Sequence, residues 1–286
     1  MKPKAIEDKV RSSVAALRPL PAAVMELWEL ADSPTATAEQ VHDVVLTDPA
    51  LTAKVLRLAN TAYYGLSKQV DTIRQAVIVL GMQTVKNLAL GVAAFHTLKG
   101  GKRSAIPEET LWRHAMACAL VSQRLAKHVC LSARDVESVF IGGLLHDLGL
   151  IFLTFHFEQE YHKVQKLERQ RLTREQAEAK IFGIDHVEIG RLICAHWNFP
   201  ESLTAMIAPP ESALDAGDRH REMAGCVQLA DYWLHLINEA PPGLFAIDDP
   251  VPELLSWPRL KEEEQSALIA ESLENLGAMQ SALTAA

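Results

Sequence analysis

Apolar residues recur along this chain at intervals of three and four, the period of an amphipathic helix rather than the two-residue alternation of a strand. Residues 21–32 open with Pro21 at a first helical position and place Val24, Leu27, Trp28 and Ala31 on one side. Thr37 and Gln40 have the form of a capping box for a helix running to Leu46. Asp48-Pro49 starts the next, apolar at Leu51, Val55, Leu56 and Leu58 and ending near Asn60. Asp71 is expected to cap a short helix that stops at Gly81, and a further helix carries Val85, Leu88, Leu90 and Val92. Gly100-Gly101-Lys102-Arg103-Ser104 then reads either as a linker or as an ordinary helix–helix loop.

Beyond it the pattern predicts helices at 108–129, 134–156, 157–171, 173–182, 186–198, 201–208 and 219–239. Thr173 with Gln176 and Asp185 with Glu188 supply N-terminal capping signals, and Asn198-Phe199-Pro200 ends one helix and starts another. Residues 240–258 are proline-rich and read as a loop with a short helical turn, and 260–283 as a terminal helix with an acidic start. The chain is expected to be all-α. Its expected organisation is a helical lobe over 1–100, a second over 101–240, and a loop and helix over 241–286 packing on the second lobe.

With 286 residues, 49% hydrophobic and 22% charged, the chain can bury a large core as an ordinary globular protein. A formal net charge of -8 disfavours general attraction to nucleic acid or anionic membrane. Arg57, Lys68, Arg74 and Lys86 make the first lobe locally basic, which a solvated helix surface explains, so nucleic acid is not an expected partner. Cys118, Cys130, Cys194 and Cys226 lack C-x-x-C spacing and read as buried free thiols of a reducing compartment. The N-terminus has no apolar signal core, and no apolar run is read as membrane-spanning. The expected location is the cytoplasm.

Four titratable residues interrupt apolar stripes. His114 shares a helix face with Leu111, Cys118, Val121 and Leu125. His146 and Asp147 sit inside Leu144-Leu145-His146-Asp147-Leu148-Gly149, and Asp231 lines up with Ala224, Val227 and Leu234. Imidazole and carboxylate are suitable ligands for a divalent metal, and helix bundles build such sites from inward-facing side chains. A core histidine is also commonly satisfied by a carbonyl or carboxylate without any metal. On spacing alone the two readings stand side by side. His42, His96, His128, His156, His162, His196, His220 and His235 show no coherent partner pattern.

His114, His146-Asp147 and Asp231 together resemble the H…HD…D pattern of the HD superfamily of metal-dependent phosphohydrolases. Asp48-Pro49-Ala50-Leu51-Thr52-Ala53-Lys54-Val55-Leu56-Arg57-Leu58-Ala59-Asn60 is similar to the hallmark of the HDOD family. Ala62-Tyr63-Tyr64-Gly65, Ile73–Gly81, Phe182–Gly190 and Trp197–Pro200 continue the likeness over roughly residues 14–240. The resemblance implies an N-terminal helical lobe packed on an HD-like lobe, in a bacterial signal-transduction or regulatory module. It also implies that His114, His146, Asp147 and Asp231 hold a single divalent metal ion of unknown identity. Related HD-GYP phosphodiesterases carry further histidines, of which His186 corresponds to one. Pro209-Pro210 replace their paired histidines, and Leu150 stands where a lysine often follows HD-x-G. The leading expectation is a regulator acting on a signalling protein partner or a small ligand such as a nucleotide. The contrasting one is a mononuclear phosphohydrolase acting on a nucleotide.

Overall fold

The helical period carries through: no strand occurs among the described residues. The structure is a computed structural model and describes residues 3–32, 37–47, 49–61, 69–100, 102–207, 219–239, 250, 252–274 and 276–277. Asp48, Lys68, the Ala62–Gly65 motif and Pro209-Pro210 lie outside them.

The helices are α1 (Pro3–Ala15), α2 (Ala22–Asp32), α3 (Ala38–Leu46), α4 (Pro49–Ala59), α5 (Ile73–Leu80) and α6 (Met82–Lys99). They continue with α7 (Glu108–His128), α8 (Ala133–Leu145), α9 (Leu148–His156), α10 (Glu158–Glu168) and α11 (Arg174–Phe182). The remainder are α12 (His186–His196), α13 (Glu201–Ile207), α14 (Arg219–Leu236), α15 (Pro252–Ser256) and α16 (Glu262–Leu273). The chain divides into two units, Met1–Arg18 with Leu98–Leu273 and Pro19–Thr97 with Glu274–Ala286.

In the smaller unit α3 packs on α2, α4 and α5, burying Val41, Val44 and Val45. The Thr37–Gln40 capping box forms as its sequence implies. Thr72, rather than Asp71, caps α5: its extended backbone aims the hydroxyl at the Gln75 N–H. Gly81 ends α5 at φ 84, a conformation open to glycine at little cost, and α6 leaves at 117° to α5.

The larger unit is built around α7, buried along most of its length against α8, α14 and α16. α1 belongs to this unit, which departs from the expected 1–100 lobe. Its apolar face of Ile6, Val10 and Val14 is buried, and it packs on α11 and α12. The end of the segment is tied down as well, since His196 Nε2 donates to the Leu17 carbonyl (2.9 Å) and Trp197 Nε1 to that of Arg18 (3.1 Å). At the other end α15 contacts α14, and α16 buries Leu268 and Ile269.

The single helix expected over 134–156 is two. α8 and α9 are separated by His146-Asp147, whose backbone departs from helix at Asp147 (φ -94, ψ 22). Taken through this break, Ala133–His156 is long and apolar enough to cross a bilayer, contrary to the sequence reading, but 94% of its apolar 18-residue stretch is buried inside the protein. Cys118, Cys194 and Cys226 are buried free thiols, whereas Cys130, left-handed (φ 61) just past the end of α7, is exposed.

Local signals carry measurable stability. Thr173 caps α11 through a capping box and is itself buried. Thr173→Ala is expected to lower unfolding free energy by about 1 kcal/mol in urea denaturation, since one helix-end N–H loses its acceptor inside the protein.

Candidate metal centre

His114, His146, Asp147 and Asp231 come together inside the larger unit. α7 delivers His114, the α8–α9 break delivers His146 and Asp147, and α14 delivers Asp231. The close approach of α7 and α8 depends on Gly143: a Cβ there would stand 2.8 Å from the Ala119 Cα and 2.9 Å from its nitrogen. Gly143 also supplies the carbonyl that accepts from His146 Nδ1 at 2.8 Å. His114 Nδ1 donates likewise to the Glu239 carbonyl at 3.1 Å.

Both imidazoles thus commit Nδ1 to backbone oxygen and turn Nε2 inward. The two Nε2 atoms stand 3.2 Å apart. Asp231 Oδ1 lies 2.9 Å from His114 Nε2 and 3.5 Å from His146 Nε2, and Asp147 Oδ2 lies 3.7 and 3.6 Å from the same atoms. Asp231 Oδ1 is buried without a hydrogen bond. Ligating atoms of His114, His146 and Asp231 all fall within 4.8 Å of one another. Acceptor atoms facing one another at these distances repel unless a positive charge lies among them.

The electrostatics answer to that demand. Burial opposes protonation of His146, but the Cys118 sulfur, Asp147 and Asp231 favour it, so the imidazole keeps a proton well above its ordinary range. Burial likewise opposes ionisation of Asp231, yet His235, His114 and His146 hold it well below the carboxylate range. For Asp147 burial is outweighed by His146 and His114, and its pKa is lowered. A proton or a divalent cation satisfies the same set of atoms. Atoms about 2.1 Å from a shared ion stand roughly 3–3.5 Å apart, so the donor set fits a metal.

Two neighbours escaped the sequence reading. His235 is one helical turn beyond Asp231; its Nδ1 donates to the Asp231 carbonyl (2.8 Å) and lies 3.1 Å from the carboxylate. Its i, i+4 spacing was the available signal. Cys118, read only as apolar, is buried beside His146, and burial pushes its thiol pKa up.

His186 does not join the cluster within ligand distance of its atoms among the described residues. Its Nδ1 donates to Glu178 Oε2 at 2.7 Å, and its backbone N–H donates to the same oxygen at 2.8 Å. Tyr161 donates its hydroxyl to Glu178 Oε1 (3.3 Å), and Arg174 pairs with buried Glu168 (3.2 Å). Burial opposes the charge on His186, but Glu178 outweighs it and lifts the pKa to about 10. A folded pKa above the unfolded one of about 6.5 means that this stabilisation is complete below about pH 6.5 and is lost as pH rises to about 10. In chelator-treated protein the urea midpoint should fall over that window, and fall less in His186→Gln. Equal slopes in the two proteins would contradict the pairing.

The described residues are helical, and His114, His146, Asp147 and Asp231 gather where α8 breaks from α9. The HDOD domain family matches residues 17–212, and the chain belongs to that family. An uncharacterised protein of Treponema pallidum (strain Nichols) is 24% identical over 258 residues, 90% of this chain and 48% of that one. The chain therefore spans about half the length of the curated relative it matches. An HDOD domain protein of unknown function from Geobacter sulfurreducens shares the fold, with a TM-score of 0.76, 23% identity, and coverage of 98% of this chain and 97% of that one. A candidate signal-transduction protein from Marinobacter aquaeolei VT8 gives a TM-score of 0.76 at 20% identity, over 99% of this chain and 66% of that one.

Proposed function

We propose that this protein is a regulatory HDOD module in which His114, His146, Asp147 and Asp231 hold a single divalent metal ion. The observation that carries the metal is the pair of inward-facing Nε2 atoms, 3.2 Å apart, beside a buried carboxylate oxygen without a hydrogen bond. Bound there, an ion would supply a Lewis acid able to polarise or neutralise an anionic oxygen. The chain's own part is to fix both imidazole tautomers through the Gly143 and Glu239 carbonyls.

The module acts in the cytoplasm by binding a partner protein or a small ligand such as a nucleotide. The neighbouring chemistry favours binding over turnover. Leu150 is buried in the core, and Arg174 is spent on Glu168, so neither offers a free charge to a phosphate. The signal-transduction description of the Marinobacter protein supports the same reading at the level of fold. One observation favours the second reading, a mononuclear phosphohydrolase acting on a nucleotide: the Asp231 side chain is 32% exposed, which opens the cluster to solvent.

Metal analysis of freshly purified protein, with zinc and manganese titration calorimetry, tests the proposal. One ion per chain is expected, with no metal-dependent turnover of cyclic di-GMP or nucleoside monophosphates. Turnover that vanishes in Asp147→Ala would replace the regulator by the hydrolase. A protein that takes up no divalent ion would overturn both.

A further inference from the structure

His114 is gripped at both nitrogens by one stretch of chain. Asp231 stands 2.9 Å from Nε2, and two helical turns later the Glu239 carbonyl accepts from Nδ1 at 3.1 Å. Between them α14 closes. Asn238 turns left-handed (φ 61), its N–H donates to the His235 carbonyl (3.2 Å), and the Glu239 N–H donates to that of Leu234 (2.9 Å). A carbonyl just past a helix end is poorly constrained by the helix itself, because the regular ladder has stopped.

The Glu239 side chain supplies the missing constraint. Arg113 Nε and Nη2 donate to its two carboxylate oxygens at 2.8 and 3.0 Å, a bidentate grip that fixes orientation as well as distance. Arg113 immediately precedes His114. The two residues at the start of this connection and the one at its end therefore form a closed loop, from guanidinium to carboxylate, to the Glu239 carbonyl, and back to the imidazole. Arg113 and Glu239 side chains are 38% and 27% exposed, so solvent screens the pair and it adds little to folding stability.

We propose that the Arg113–Glu239 pair is a positioning clasp for the metal centre. It holds the Glu239 carbonyl on His114 Nδ1 and so reserves the Nε2 lone pair for the ion. Neither residue touches the ion; both act through His114. The inference rests on the metal reading above, but its first consequence, the tautomer of His114, is present without metal.

The test compares wild type with Arg113→Met, Arg113→Lys, Glu239→Gln and the Arg113→Met/Glu239→Gln double variant. In metal-free protein at alkaline pH, long-range proton–nitrogen NMR should show His114 protonated at Nδ1 in wild type and a mixture of tautomers in the variants. Zinc and cobalt affinities should fall about 10- to 100-fold, with Arg113→Lys intermediate because one ammonium cannot make both bonds. The double variant should be no weaker than the worse single one, since both break the same loop. Thermal midpoints close to wild type would establish that the variants fold. An unchanged His114 tautomer overturns the clasp, whether or not affinity falls. If wild type takes up neither zinc nor cobalt, the metal reading fails, while the tautomer comparison still decides the clasp.

Discussion

Asp147→Ala is expected to destabilise the metal-free protein by about 3–5 kcal/mol, the cost of stranding a buried charge. The Asp147 side chain is only 9% exposed and faces His114 and His146 at 3.7 and 3.6 Å. It occupies the N-cap position of α9 without making a capping hydrogen bond, so the expected loss is electrostatic rather than a lost cap. Its pKa is depressed in the folded state, mainly because His146 and His114 outweigh burial. The stabilisation is therefore present above the unfolded pKa of about 3.9 and is lost as pH falls through the lower folded value. Urea denaturation in chelator should show the full gap between wild type and variant near neutral pH and a narrowing gap in acid. Asp147→Asn keeps the shape and removes the charge, and should lose most of the same stability. Calorimetry on either variant should find divalent-ion affinity reduced at least 100-fold. A variant of wild-type stability with intact metal uptake would place Asp147 outside the centre.

Gly149→Ala should cost about 3 kcal/mol or more, the upper range for forcing a group into a packed core. A Cβ at Gly149 would lie 1.9 Å from the His186 carbonyl oxygen and 2.8 Å from the Gly190 nitrogen. Both are backbone atoms of α12, so no rotamer change relieves the clash and the two helices must separate. Gly190→Ala is the internal control: its Cβ would come closest to the Ile207 Cγ2 at 3.3 Å, a side-chain methyl that can yield, with the Ile207 carbonyl oxygen and the Gly149 nitrogen in ordinary contact at 3.8 and 3.9 Å. Its expected cost is below about 1 kcal/mol. Because His186 sits at the point of contact, Gly149→Ala should also disturb the His186–Glu178 bond and flatten the alkaline part of the pH–stability profile. Equal midpoints for the two glycine variants would show that α9 and α12 do not depend on this backbone approach.

The all-α fold and most helix positions were legible in the sequence because helical periodicity and capping are local. Thr37-x-x-Gln40, Thr173-x-x-Gln176 and Asp185 act within a single turn and form as read. The candidate quartet was legible for a related reason, since a polar residue in an apolar helical stripe must face whatever the stripe faces. His114 on α7 and Asp231 on α14 fit that rule, whereas His146 and Asp147 reach the cluster from the break between α8 and α9. Other features were decided by contacts between distant segments. The break of α8 from α9 at His146-Asp147 is hidden because the helical period continues on both sides of it. The grouping of α1 with the larger unit depends on α11 and α12, and on the His196 and Trp197 bonds to Leu17 and Arg18. Glu178, Glu239 and Arg113 look like ordinary surface charges in sequence. Only tertiary packing places Glu178 under His186, across the turn between α11 and α12, and the Glu239 carbonyl on His114, 125 residues away, because neither pairing falls on the repeat of a single helix.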